Sequence, residues 1–413
     1  MPDPRTLQTR SNVSGKYRLR RALLQSTGAV LRRSQPERAA PGSSEAERGP
    51  RILLIRPDHL GDVLLATPAF AALRAALPHA HLTALVGPWA EIVARRNPHV
   101  DAVLTLPFPG FTRQPPSAGV AVQPYRLAWR EAQRLQAYHF DAAIVMRVDH
   151  WWGGLLVALA RIPQRLGYSH PDVAPFLTRA LPVAPDTHVT VLNLALVDSF
   201  VRTLQPLTFN LQPGVPPLEF PVTDAERAAA VEWLRAQGIG DEERLIAIHP
   251  GAGAAVKLWT NGGWATVADA LADAGARIVL TGSKAEAHLT ADVAARMQRP
   301  VLDAAGATDF GTLAALLARC ALVVGADAGA LHLATAVGTP TVRLYGPIDP
   351  RQFGPWGPPA VHRVVLAEPP LACQFCERLD YPDAELPLHP CVRWIRVEQV
   401  IDAARDVLAL TRA

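Results

Sequence analysis

The sequence predicts an α/β protein with two doubly wound parallel sheets. Apolar runs of strand length alternate with helix-spaced stretches through most of the chain, the pattern of a parallel sheet covered by helices on both faces. Two such series flank a Pro-rich crossing without helical periodicity, QPLTFNLQPGVPPLEFPV at residues 205–222. With 413 residues the chain is also too long for one hydrophobic core, since single cores stop growing near roughly 250–300 residues.

Residues 1–50 stand apart. They carry ten Lys/Arg against four Asp/Glu, which from chain totals of 41 and 37 leaves thirty-one against thirty-three for the rest. The net charge of +4 therefore sits in the tail, and the nearly neutral body gives no case for a nucleic-acid partner. Rich in Arg, Ser and Pro, the tail reads as basic and disordered. Residues 16–33 within it spell either a short basic helix suited to peripheral contact with an anionic inner membrane or a plainly solvated segment. No window approaches the ~20 apolar residues of a spanning helix. Pro2, Asp3 and Pro4 do not fit a secretory leader, and four cysteines do not make a disulfide framework, so a reducing cytoplasm is expected.

The first domain spans 51–204. Residues 52–55 form a strand, 57–62 a turn and 63–77 a helix; further strands fall at 81–86, 102–106 and 142–146, with helices at 89–95 and 127–138. After the linker at 205–222 comes the second domain, 223–394, with strands at 245–249, 277–281, 301–302, 320–324 and 341–345 and helices at 263–274, 285–297, 311–317 and 331–337. A final helix within 395–413 is expected to pack back across both domains. Two similar α/β domains facing each other leave one cleft.

Three loops, each where a strand hands over to a helix, carry the candidate chemistry, because ligands of such sheets bind outside the carboxyl ends of the strands. In the first, Gly61 permits a sharp turn and Asp62 projects at the helix start, either as an acid complementing the helix dipole or as a general base. The second reads His249-Pro-Gly251-Ala-Gly253, with Lys257 beyond. Its glycines expose N–H groups that cradle phosphate, and Lys257, one of three lysines beside thirty-eight arginines, adds a point charge. A dinucleotide fingerprint fits poorly, since Val256 stands at the third glycine position. The third loop is Asp327-Ala-Gly329, with His332 one turn further.

Together the loops resemble glycosyltransferase family 9, the ADP-heptose:lipopolysaccharide heptosyltransferases. The likeness rests on RILLIRPDHLGDVLLATPA (51–69), HPGAG with KLW (249–259), LTGSKAE (280–286) and GADAGALHLATAVGTPTVRLYGP (325–347). The resemblance implies a GT-B fold of two Rossmann-like domains facing across a cleft, with the acceptor on the first and the nucleotide sugar on the second. It also implies inverting, metal-independent transfer from an ADP-activated sugar to a glycolipid or glycan acceptor, with no cofactor required. Asp62 matches the family's proposed base, Lys257 the diphosphate-binding lysine, and Gly282 and Glu286 the loop whose acid holds the ribose. Asp327, Gly329 and His332 fall on the donor-binding turn, where Ala328 replaces the usual Thr or Ser and removes one hydroxyl. In keeping with metal independence, no Asp-x-Asp pair occurs in the chain.

Arg147, His150, Trp151 and Trp152 are acceptor candidates, by charge and by aromatic stacking on a sugar. Cys373-x-x-Cys376 with His389 and Cys391 has the residue types of a zinc cluster, against a reading as reduced, unliganded cysteines. The expected function is a cytoplasmic heptosyltransferase-like enzyme. Its rivals are a nucleotide-sugar epimerase on the same scaffold and a non-catalytic nucleotide-sugar-binding protein.

Overall fold

The computed structural model of the protein describes residues 21, 24–28, 49–112, 122–204 and 216–410. The chain divides into two compact units, Met1–Pro216 and Pro217–Ala413. Each holds a six-stranded, wholly parallel sheet.

In the first unit β1 (Arg51–Arg56), β2 (His81–Val86), β3 (Ala102–Thr105), β4 (Ala142–Val145), β5 (Gln164–Tyr168) and β6 (Arg179–Leu181) lie in the order β3-β2-β1-β4-β5-β6. Ile52, Leu53, Leu54 and Ile55 of β1 are fully buried, as expected of a central strand covered on both faces. The strand order reverses between β1 and β4. Their register sets Ile55 beside Val145, so the loops that follow them leave the sheet as neighbours, at the switch point where such folds hold ligands.

The helices are α1 (Leu60–Leu64), α2 (Thr67–Ala76), α3 (Glu91–Arg96), α4 (Gln123–Gln136), α5 (Trp151–Leu159) and α6 (Val189–Leu204). A single helix at 63–77 is expected from periodicity, but the structure breaks it. Pro68, in the first turn of α2, has no N–H to continue the α1 ladder, and Thr67 Oγ1 donates to Leu64 O at 2.7 Å. Part of the tail is packed where composition predicts disorder. Residues 24–28 are helical, Leu24 is buried in the first unit's core, and Arg21 Nε lies 3.9 Å from Asp172 Oδ1. The rest of 1–48 falls outside the described residues, as do 205–215 of the expected linker.

The second unit runs α7 (Asp224–Ala236), β7 (Leu245–His249), α8 (Asn261–Asp273), β8 (Arg277–Leu280), α9 (Ala287–Arg296), β9 (Val301–Asp303), α10 (Phe310–Arg319), β10 (Leu322–Ala326), α11 (Gly329–Ala336), β11 (Thr341–Leu344), α12 (Pro350–Phe353), β12 (His362–Val365) and α13 (Val397–Leu410). The sheet order β12-β11-β10-β7-β8-β9 repeats that of the first unit, with β7 and β10 at the reversal. Helix α7 starts on a capping box: Thr223 Oγ1 accepts from Glu226 N, and Glu226 Oε2 accepts from Thr223 N at 2.9 Å. Val400, Ala404 and Val407 seat α13 in the core of this second sheet.

Candidate active site

In the second unit, the register sets Gly325 of β10 beside His249 of β7. The approach demands glycine, because a Cβ on Gly325 would lie 2.8 Å from His249 O. The loop after β7 ends in a tight turn, Ala255–Lys257, and Trp259 anchors it. The Trp259 ring is buried edge-on against Trp264, with centroids 4.8 Å apart, and its Nε1 donates to Ile395 O at 3.1 Å. So held, Lys257 places Nζ 2.6 Å from Asp327 Oδ2, with side chains only 12% and 10% exposed. The ion pair therefore joins the loops after β7 and β10 across the point where the strand order reverses.

The loop after β8 closes the same edge. Glu286 Oε2 accepts from Ser283 N at 2.8 Å and from Ser283 Oγ at 2.7 Å, which fixes its carboxylate near Gly251. A Cβ on Gly251 would stand 2.2 Å from Glu286 Oε1, and one on Gly282 would stand 3.4 Å from Glu286 Cβ, whereas Gly253 has open space around it. His249 lies beneath, buried, its Nδ1 3.1 Å from Thr281 Oγ1. Burial holds its pKa below the ordinary value, the Glu286 carboxylate opposing only in part, so the ring is neutral.

Helix α11 begins at Gly329, with Ala328 extended before it and offering no side-chain cap. Its first-turn N–H groups lack intrahelical acceptors, a ready site for an anion. His332 lies in α11 itself. It is buried, and its Nδ1 accepts from Arg343 Nη1 at 3.1 Å, while Arg343 Nη2 also donates to Leu331 O at 2.7 Å. His332 thus braces α11 on β11. Of the nine donor-side candidates, Gly251, Lys257, Gly282, Glu286, Asp327 and Gly329 gather along the carboxyl ends of β7, β8 and β10, Gly253 extends the β7 loop, and the two histidines are buried, His249 at the end of β7 and His332 in α11.

The first unit carries a second polar cluster at its own switch point. Arg56, the last residue of β1, has Nε 2.9 Å from Asp58 Oδ2 and Nη2 3.8 Å from Asp62 Oδ1, and donates from Nη1 to Met146 O at 3.1 Å. Arg147, after β4, pairs with Asp58 from the other side and with Asp149 at 2.6 Å. Burial alone would raise the Asp58 carboxyl, but the Arg56 and Arg147 guanidinium groups outweigh it and hold it below the usual carboxylate range. Asp62 stands above this cluster in α1, its side chain about a third exposed.

The acceptor candidates divide. Trp152 is core: it is buried, meets Phe108 edge-on and donates Nε1 to Pro124 O at 2.8 Å. His150 is also buried, with Phe108 and Phe111 rings 5.2 and 5.7 Å away. Burial pulls its pKa down to about 3. Neither side chain is placed to touch a sugar. Trp151, half-buried, and Arg147 remain at the surface. Around the cysteines, burial, with Cys376 and Cys373 nearby, pushes the Cys391 thiol up to about 11. Cys376 Sγ lies 3.6 Å from Tyr381 OH, His389 is stacked on the Tyr381 ring at 3.6 Å, and Cys391 is buried against Gly346. Among the described residues no group of three or more His, Cys, Asp or Glu side chains is arranged to hold a metal.

Sequence reading missed Arg56, Asp58 and Arg343. The available signal was a cation at the end of one apolar strand, RILLIR, and inside another, TVRL.

Comparison with known proteins identifies the family. The profile for glycosyltransferase family 9 (heptosyltransferase) matches residues 128–379, well over half of the chain. The chain is similar to lipopolysaccharide heptosyltransferase 3 of Escherichia coli, 28% identical over 306 residues that cover 72% of this chain and 83% of that protein. Among solved structures, a family 9 glycosyl transferase from Veillonella parvula superposes with a TM-score of 0.70 at 23% identity, over 87% of this chain and 98% of that one. The E. coli ADP-heptose LPS heptosyltransferase II gives 0.67 at 22% identity, over 88% and 100%. The α/β fold is thus of GT-B type, with two Rossmann-like units, and the profile match over more than half of its length makes the chain a member of glycosyltransferase family 9, the heptosyltransferases.

Proposed function

We propose that this glycosyltransferase moves a heptose, with inversion and without a metal, from an ADP-heptose donor to a sugar hydroxyl of a lipopolysaccharide-core acceptor. Residues 223–394 of the second unit hold the donor and residues 51–204 of the first the acceptor, at the cytoplasmic side of the inner membrane. The observation that carries the reading is the Lys257–Asp327 pair across the β7/β10 switch point, where a doubly wound sheet binds phosphate. The family relationship and the ADP-heptose in the name of the E. coli structural neighbour support the donor. The missing Asp-x-Asp pair supports metal independence.

In this mechanism Asp62 takes the proton from the acceptor hydroxyl as its oxygen attacks the anomeric carbon. The bond from that carbon to the diphosphate oxygen breaks on the opposite face, which inverts the configuration. Charge developing on the diphosphate is met by Lys257, by N–H groups of the Gly251–Gly253 loop and by those at the start of α11. Asp327 holds the ammonium in position, and Glu286 accepts from the ribose. With Ala328 in the turn, phosphate is bound there by backbone donors alone.

The test is turnover with ADP-heptose and lipopolysaccharide-core acceptor, comparing the natural protein with Asp62→Asn, each with and without EDTA. Loss of a general base lowers kcat by about 10²–10⁴, with the melting temperature kept and EDTA without effect. Unchanged turnover in Asp62→Asn removes the base assignment, and altered sugar released without acceptor points to an epimerase.

A further inference from the structure

Helix α4 turns the wrong residues to water. Its inward side is conventional, with Ala128, Ala132 and Leu135 buried in the first unit's core. Outward, Val122, just ahead of the helix, Tyr125 and Trp129 are 57%, 41% and 59% exposed. Their spacing of three and four residues puts them on one stripe. Trp151 extends the stripe from α5, its ring 5.8 Å from that of Tyr125. The surface is firmly held, because Trp152 ties the start of α4 to α5 through Pro124 O.

The rim is cationic. Arg126, Arg130 and Arg134 are exposed and recur every fourth residue beside the stripe. The one acid of the helix, Glu131, is buried and engaged by Arg130 at 3.0 Å and Arg134 at 2.7 Å. Three guanidinium groups against one carboxylate leave a surplus of two positive charges on this face. Indole and phenol rings favour the boundary between hydrocarbon and water, and arginine reaches from such a boundary to phosphate while its stem stays against apolar groups. An exposed aromatic stripe edged by arginine is complementary to anionic headgroups.

We propose that the outward face of α4, with Trp151, is where this protein lies on an anionic lipid surface. The surface deepens the reading of a glycolipid acceptor, and rests on it only for which membrane is used. It is separate from the basic tail, since it belongs to the folded first unit.

The experiment is flotation of the full chain with phosphatidylcholine vesicles, with and without phosphatidylglycerol, for the natural protein, Trp129→Ser and Arg126→Glu. Neither substituted side chain is part of the core, and an unchanged melting temperature confirms folding. The natural protein should float with the anionic vesicles, and each substitution should lower its partition coefficient by about fivefold or more. No turnover is read, so failure of the transferase mechanism leaves the outcome intact. Absence of flotation overturns the proposal. So does binding that survives both substitutions, as it would if residues 1–50 alone held the membrane. A lipid-free dimer that Trp129→Ser dissolves also overturns it, by assigning the face to a second copy.

Discussion

Lys257 Nζ stands 2.6 Å from Asp327 Oδ2, and the pair joins loops seventy residues apart in sequence but adjacent at the reversal of the second sheet. The first sheet repeats the relationship, with Arg147 after β4 bound to Asp58 after β1. In both units an acid and a base close the same topological position. A lone ammonium there would carry the desolvation cost of a buried charge, which a partner at hydrogen-bond distance offsets. The proposed donor site would thus be preorganised, since Asp327 fixes the position of the Lys257 ammonium.

Lys257→Ala should therefore disturb stability and binding together, and a second substitution should separate them. Removing one member of a buried pair costs about 3–5 kcal/mol, because the other charge is left behind. Urea denaturation of Lys257→Ala should show a loss of that order, and Lys257→Ala/Asp327→Asn should recover much of it. Donor binding, read as the ADP-heptose-induced rise in melting temperature, should stay lost in both variants. Its return in the double variant would mean that Lys257 does not serve the diphosphate.

Gly251→Ala tests the corner between the β7 and β8 loops. An added Cβ would fall 2.2 Å from Glu286 Oε1, so the carboxylate must swing away and give up its bonds from Ser283 N and Oγ. If Glu286 holds the ribose, the donor KM should rise about tenfold, the loss of one charge-assisted hydrogen bond, while kcat changes little, because nothing at Asp62 is altered. Gly253→Ala, with open space at its Cβ, is the control and should leave KM nearly unchanged. Equal effects of the two would place the glycine requirement elsewhere.

What the sequence displayed was the part of the site built from backbone needs. Gly61, Gly251 and Gly329 mark strand-to-helix turns wherever they stand, and apolar runs such as LLI and LVV mark buried parallel strands without further context. Partner choice was hidden. Arg56 reads as a polar strand end until the order β1-β4 brings Met146 against it and Arg147 against its partner Asp58, some ninety residues on. His150 and Trp152 look like ligand groups because their burial depends on Phe108 and Phe111, residues that the local sequence does not connect to them. Helix α5 escaped notice for a related reason: buried nearly all round, it has no polar face and so no period to detect. The cysteines show the limit of residue type, since Cys-x-x-Cys, His and Cys have zinc-like chemistry in sequence while, among the described residues, they are not grouped to hold a metal.

His150 makes stability depend on pH in a direction that can be measured. Its ring is buried between Phe108 and Phe111, both nitrogens lack hydrogen-bond partners, and its pKa falls from 6.5 to about 3 in the folded protein. The folded state thus keeps the ring neutral where the unfolded chain takes up a proton, so stability is lost as pH falls from about 6.5 toward 3. His362, pulled down to about 4 by burial with Arg343 adding to the effect, acts in the same sense, as does His249. Each such histidine adds a slope on the order of 1.4 kcal/mol per pH unit. Asp58, whose carboxyl is held below its ordinary value of 3.8, loses its contribution only below that value, so urea midpoints between pH 6.5 and 4.5 isolate the histidines. His150→Leu keeps an apolar filling between the two phenylalanines and should make the decline shallower by one histidine's share. An unchanged slope would mean that His150 takes up its proton in the folded protein as readily as in the unfolded chain.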